Sequence, residues 1–175
     1  MSIDSAVSLW LNGILVSHRA LIGMWQFLAS TLPWLFLPFL VLFVCLKEKI
    51  SHIKIVLEAL ASALFSRFVI TEIIHFFYSR PRPFESFPEI RQFTMRAGGD
   101  SLPSGHAAFF FGLAFSIFLY NKKWGTFLLA LAVIMGVARI GVGVHYLSDI
   151  VSGALMGVLS AFLIQLVVKK KMQVQ

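Results

Sequence analysis

"WGTFLLALAVIMGVARIGVGVHYLSDIVSGALMGVLSAFLIQLVV", residues 124 to 168, holds two apolar runs joined by one short turn. The runs, Trp124 to Val144 and Tyr146 to Val168, each reach the roughly 20 residues that a bilayer demands of a helix. A turn near Gly143 to Tyr146 permits only an antiparallel helical hairpin. Inside lipid the backbone must bond to itself, so such runs are helices, and the stretch sets the fold class as all-α and membrane-embedded. The hairpin also places Arg139, His145 and Asp149 around one of its ends.

The rest of the chain has the same character. Hydrophobic residues make up 58% of 175 positions, and the mean hydropathy is +0.85, above what soluble domains carry. The net charge of +7 sits at the ends of apolar runs and forms no clustered basic face, which argues against nucleic-acid binding. The single cysteine, Cys45, falls within an apolar run, so no disulfide framework is expected. Met1 to Ser17 lacks a basic start, and no cleavable leader is expected there.

Working back from the hairpin, three more apolar stretches read as spans: Ser104 to Tyr120, Ile53 to Tyr78, and Ala20 to Leu46 with bends at Pro33 and Pro38. Before them, Ile3 to Val16 reads as an interfacial amphipathic helix. The expectation is one domain over residues 1–175, with about five transmembrane helices. All eight lysines (Lys47, Lys49, Lys54, Lys122, Lys123, Lys169, Lys170, Lys171) fall at ends that alternating spans place on one face. The positive-inside rule makes that face cytoplasmic. The long connection Ser79 to Pro103 and the turn at Gly143 to Tyr146 then share the outward face.

Three stretches border that face: "SRPRPF" (79–84), "LPSGHA" (102–107) and "ARIGVGVHYLSD" (138–149). Their polar residues suit phosphate transfer. Arg82 and Arg139 offer planar forks of donors that match phosphate. Ser104 and Gly105 stand where a helix begins, so free amides and the dipole would face an anion. His145 and Asp149 are spaced i, i+4, which would put them on one helix face with the carboxylate bonded to one ring nitrogen and the other left as a nucleophile. His106 would protonate the leaving oxygen. A metal held by His106, His145 and Asp149 is the competing chemistry, but three arginines around the same pocket would repel a cation. Arg139 alone also admits a reading as a snorkelling anchor.

The order and spacing of "RP" (82–83), "PSGH" (103–106) and R-x5-H-x3-D (Arg139 to Asp149) resemble the three-part signature of the type 2 phosphatidic acid phosphatase superfamily, over about residues 50–168. The resemblance implies a six-helix, metal-independent phosphatase working through a phosphohistidine. It implies His145 as nucleophile, Asp149 as its orienting partner and His106 as acid. Arg82, Ser104, Gly105 and Arg139 would hold the phosphoryl oxygens, with no cofactor. The superfamily usually has a lysine seven residues before the arginine of the first motif, where this chain has His75. Arg80, held extended beside Arg82 by the intervening proline, is a substitute for that lysine or a solvent-facing loop arginine.

His75 is placed to pair with Glu72 on the same helix, either near phosphate or as a structural pair. Glu58 and Arg67 are expected to face the bundle interior as structural pairs. The "RPF" sequence and the long loop resemble bacterial undecaprenyl-diphosphatases, which implies a lipid diphosphate substrate at the outer side of the cytoplasmic membrane and a role in cell-wall synthesis. Other lipid phosphates (phosphatidylglycerophosphate, phosphatidate, lipid A) and a non-cleaving phospholipid-binding or transport module stay open. Gly153 and Gly157 read as a close helix contact, within the chain or in a dimer.

Overall fold

The computed structural model describes residues 2–36, 38, 50–94 and 99–173. Pro38 apart, the later part of the expected first span lies outside the described residues, and so do Cys45, Lys47 and Lys49. Every regular element among the described residues is helical.

Helix α1 (Ile3–Ser17) is capped by Ser2, whose Oγ accepts from the Ser5 amide at 3.2 Å. It buries Ser5, Ser8, Leu11, Asn12 and Leu15 and exposes Ile3 and Trp10. A 3-10 turn (Arg19–Leu21) leads into α2 (Ile22–Gln26) and a π turn (Phe27–Thr31). The axis bends by 102° between Ile3–Ser17 and Arg19–Thr31, which separates α1 from the next segment where the sequence expectation placed the break. Around Pro33 the chain is 3-10 (Leu32–Leu35).

Helix α3 (Ile50–Phe65) passes through a π turn (Ser66–Ile70) into α4 (Thr71–Phe77). Residues at both junctions keep right-handed helical angles, so the three pieces form one continuous helical stretch. The Ser66 carbonyl accepts from the Thr71 amide across the wider turn and also from Thr71 Oγ1 at 3.0 Å. The long connection holds a one-turn helix, α5 (Pro83–Ser86), started by proline at its first position. Then follow α6 (Gly105–Tyr120), α7 (Lys122–Gly141) and α8 (Leu147–Gln173).

Helix α6 is central, packed on α3, α7 and α8. Its core contacts are short: Ala59 and Ala63 of α3 and Ala132 of α7 meet Leu113, Ala114 and Ile117. Gly153 and Gly157 of α8 face it, and an added Cβ at either would stand 2.5 Å from a backbone carbonyl of α6, Ser104 or Ala108. The G-x3-G pair therefore serves close packing within the chain. In lipid, with no hydrophobic force to bring helices together, such close backbone approach is what holds a bundle.

The outer surface is apolar: Leu57, Phe76 and Phe77 on α3 and α4, Val133 and Val137 on α7, and Leu155, Leu159 and Leu166 on α8 are all exposed. A helix that is apolar outside as well as inside belongs in lipid. By length and apolarity, Lys122–Gly141 and Leu147–Lys170 qualify as spans, with a third if the bent pair Ile3–Ser17 and Arg19–Thr31 counts as one. Gly105–Tyr120 is shorter. The chain is a membrane helical bundle, and two or three spans meet that test among the described residues; about five were expected, and much of the first of them lies outside the described residues.

Candidate active site

The last residues of α4 and α7 and the first of α6 and α8 meet at one end of the bundle. The turn between α7 and α8 is closed by Gly143, whose φ of +83 favours glycine. A Cβ there would also stand 2.6 Å from the Arg91 carbonyl. This is the turn expected near Gly143 to Tyr146. Asn12 of α1 stitches it down: its Nδ2 donates to the Gly141 and Arg91 carbonyls, both at 2.8 Å, and its Oδ1 accepts from the Arg91 amide at 2.9 Å.

The turn presents His145, which is buried. Its Nδ1 lies 3.1 Å from the Ser101 carbonyl. A carbonyl only accepts, so Nδ1 carries the proton and Nε2 holds the free lone pair. Nε2 is flanked by Arg82 Nη1 at 3.5 Å and Arg139 Nη2 at 3.4 Å. Burial, the largest influence, pushes the imidazole down from its ordinary value of 6.5 to about 4; Asp149 pulls it up, and the Arg139 and Arg82 charges push it further down.

Asp149 differs from its expected geometry. Helix α8 begins at Leu147, between the two residues, so His145 is in the turn and does not share a helix face with Asp149. The carboxylate is 3.6 Å from His145 Nδ1. It accepts from the Tyr146 amide at 2.7 Å, from the Ser101 hydroxyl, and from Arg80 Nη1 at 2.6 Å. Ser101 thus touches both groups, with its carbonyl on the histidine and its hydroxyl on the aspartate.

The arginines divide sharply. Arg82 is buried, and three carbonyls hold its guanidinium: Gly99 at 3.0 Å, Val144 at 2.8 Å and Asp100 at 3.2 Å. Burial lowers its proton affinity, against Glu85, Asp149 and Asp100, and an arginine so placed keeps its charge. Arg139, also buried, donates from Nη1 to the Ala29 carbonyl at 3.2 Å, while its Nε has no partner among the described residues. Nε and Nη2 form one edge of the guanidinium fork: Nη2 faces His145 Nε2 at 3.4 Å, and Nε beside it is a buried donor with no partner among the described residues.

Arg80 is otherwise engaged. It donates to Asp149, to Ser148 Oγ at 2.7 Å and to Asp4 Oδ2 at 3.0 Å, and lies 4.1 Å over the Tyr146 ring. It is not the solvent-facing arginine of one expectation: it ties α1 to the start of α8 and is not among the residues lining the polar cavity described below.

Ser104 is the N-cap of α6, its Oγ accepting from the Ala107 amide at 3.5 Å, and is fully buried. The amides of Gly105 and His106 start the helix, where no intrahelical acceptor exists. His106 is accessible. His75 Nε2 lies 3.1 Å from the Pro103 carbonyl, so it pairs with the chain leading into α6 and not with Glu72, which is bonded to Arg67.

These groups enclose a polar cavity of about 350 Å³, lined by Arg82, Arg139, His145, His106, Gly105 and His75, and also by Arg67, Glu72, Gly99 and Asp100. Beside it runs an apolar cleft of about 310 Å³ formed by Trp34, Phe68, Phe109 and Phe110, sharing Arg67, Gly105 and His106. The arrangement can bind a tetrahedral anion against an unprotonated imidazole, with a second histidine nearer the apolar side. Arg67 was expected to be structural; a charge in mid-span was its only sequence signal. Ser101, Asn12 and Asp4 were missed, because each acts through contacts with residues distant in the chain.

Known proteins resemble this chain. Over 96 residues it is 38% identical to the Bacitracin transport permease protein BcrC of Bacillus licheniformis, covering 55% of this chain and 47% of that one. Over 77 residues it is 39% identical to the Lipid A 4'-phosphatase of Bacteroides thetaiotaomicron, covering 43% and 34%. Over 76 residues it is 32% identical to the putative undecaprenyl-diphosphatase YbjG of Escherichia coli K12, covering 43% and 38%. The chain thus spans less than half the length of these relatives. The crystal structure of Aquifex aeolicus LpxE shares the fold at a TM-score of 0.77 and 20% identity, covering 94% of this chain and 96% of that one. The family model described as PAP2 superfamily matches residues 55–173, the helices and loops that build the cavity, and the chain belongs to the PAP2 superfamily.

Proposed function

We propose that this protein is a lipid phosphatase that cleaves a lipid diphosphate through a phosphohistidine, undecaprenyl diphosphate to undecaprenyl phosphate and phosphate being the favoured reaction. The observation that carries the reading is the buried Arg139 Nε, without a partner among the described residues, on the guanidinium edge whose Nη2 meets the lone pair of His145 Nε2. A buried donor without a partner among the described residues is suited to a bound anion.

The terminal phosphate would lie between Arg82, Arg139 and the first amides of α6. His145 Nε2 attacks phosphorus, the bond to the bridging oxygen breaks, and His106 gives that oxygen a proton. The Ser101 carbonyl and the Asp149 carboxylate stabilise the imidazolium-like ring. Water then attacks phosphorus as His106 takes its proton, the nitrogen–phosphorus bond breaks, and phosphate leaves with His145 restored. Positioned donors and cations supply most of the acceleration in this class of reaction.

The adjoining apolar cleft fits a lipid tail, and the similarity to a putative undecaprenyl-diphosphatase favours the diphosphate. A second reading, a lipid phosphate monoester, draws on the relative named Lipid A 4'-phosphatase. Among the described residues, Lys54, Lys122, Lys123, Lys169 and Lys170 lie at the ends of α3, α7 and α8 away from the site. By the positive-inside rule the site then faces outward from the cytoplasmic membrane, with α3 to α4 and α6 completing the set of spans.

The test is phosphate release by the purified protein, in chelator, from undecaprenyl diphosphate, phosphatidylglycerophosphate and phosphatidate. The expected result is preference for the diphosphate and a loss of at least ~1,000-fold in His145→Ala. Unchanged release by that variant would overturn the mechanism. Binding of the lipid without release would point to the non-cleaving transport or binding module.

A further inference from the structure

Arg67 is absent from the three motifs, yet with Gly105 and His106 it is one of the residues lining both the polar cavity and the apolar cleft. It emerges from the π turn Ser66–Ile70, the kind of helix irregularity that often marks a functional position. Its side chain lies along the first residue of α6: a Cβ on Gly105 would stand 2.5 Å from its Nε and 2.6 Å from its Cδ. Any side chain at Gly105 would make the arginine shift from this position.

Its bonding contrasts with that of the deeper arginines. Arg82 and Arg139 are buried and bonded to main-chain carbonyls. Arg67 pairs with Glu72, and the two side chains are 32% and 53% exposed. It also lies 5.2 Å from the centre of the Phe68 ring. An ion pair this open to solvent is held weakly, so its guanidinium can exchange Glu72 for an arriving anion with little loss. From the inside outward the site therefore presents His145 between two fixed arginines, then His106, then an exchangeable arginine, then aromatic walls.

We propose that Arg67 binds the phosphate that stays on the lipid, and so makes the site selective for a diphosphate over a monophosphate. This rests on the phosphatase reading above. In a diphosphate the phosphorus attacked by His145 lies inside, and the leaving group is itself a phosphate at the mouth of the cleft. As the bridging bond breaks, negative charge grows on that leaving phosphate, where Arg67 supplies a cation and His106 a proton. A monophosphate has only the inner group and passes Arg67 with the start of its tail.

The experiment uses the purified full chain in detergent with two probes: kcat/KM for farnesyl diphosphate, and the inhibition constant of inorganic phosphate, which fills only the inner position. Arg67→Met should lower kcat/KM by about 30- to 100-fold, the worth of one charge-assisted contact, and leave phosphate inhibition within about threefold. Arg67→Lys should recover part of the loss. Equal weakening of both probes by Arg67→Met, or an unchanged kcat/KM, overturns the proposal. Failure of the phosphatase reading would show separately, as wild-type protein releasing no phosphate. In that event thermal protection by inorganic diphosphate, which Arg67→Met must weaken about tenfold, decides whether the outer position exists.

Discussion

Which ring nitrogen of His145 holds the lone pair is selected by its neighbours. The Ser101 carbonyl at 3.1 Å fixes the proton on Nδ1 and leaves Nε2 facing two guanidinium groups. Because burial and those charges depress its proton affinity to about 4, the folded protein resists protonation of this ring. The stability gained by keeping it neutral is fully present above the ordinary value of 6.5 and is lost as pH falls through about 4. NMR titration of labelled histidine should therefore place the His145 midpoint well below 6.5, and Arg139→Met should raise it. A wild-type midpoint near 6.5 would contradict this environment. At Arg139 itself, lysine keeps the charge but loses the fork edge, so Arg139→Lys should lower kcat/KM about 100-fold, seen by comparing phosphate release at equal protein.

Helix α8 enters the bundle on two glycines and is tied at its start by one arginine. A side chain at Gly157 would stand 2.5 Å from the Ala108 carbonyl and 2.6 Å from the Gly112 amide, backbone atoms that cannot turn aside. Gly157→Val should therefore destabilise by about 3 kcal/mol through overpacking, read as a lowered melting temperature in detergent. The start of α8 depends on Arg80, which joins Asp149 to Asp4 of α1. Removing it leaves the wholly buried Asp149 without its cation. Arg80→Met is expected to cost about 2 kcal/mol of stability and to leave inhibition by inorganic phosphate within about threefold. A large loss of phosphate affinity at unchanged stability would instead make Arg80 a phosphate ligand.

In the whole molecule, charge is sorted along the bundle axis. Lys54, Lys122, Lys123, Lys169 and Lys170 lie at one end, and the cavity with its arginines lies at the other. The apolar cleft runs beside α6 from the cavity toward the exposed Phe68 and Trp34, so in the proposed reaction a lipid substrate would keep its tail in the bilayer while its phosphates reach His145. The bent N-terminal segment completes the site from the side. Asp4 accepts from the Ser148 amide at 2.9 Å, and Asn12 holds the turn that carries His145.

Much of this was legible in the sequence. Apolar runs of bilayer length dictated helices, because unbonded backbone is not tolerated in lipid. Arg82, Gly105, His106, Arg139 and His145 were each found from residue type and position beside a helix end, and the fold brings all of them to one cavity. Tertiary structure alone decided the partners. It gave Arg80 to two carboxylates and His145 Nδ1 to the Ser101 carbonyl, and it placed Arg67 against Gly105. Periodicity reports which residues share a helix face. It carries no information on which long side chain reaches across from another segment, and that is settled only when the helices pack closely enough for their polar groups to compete for the same few donors and acceptors.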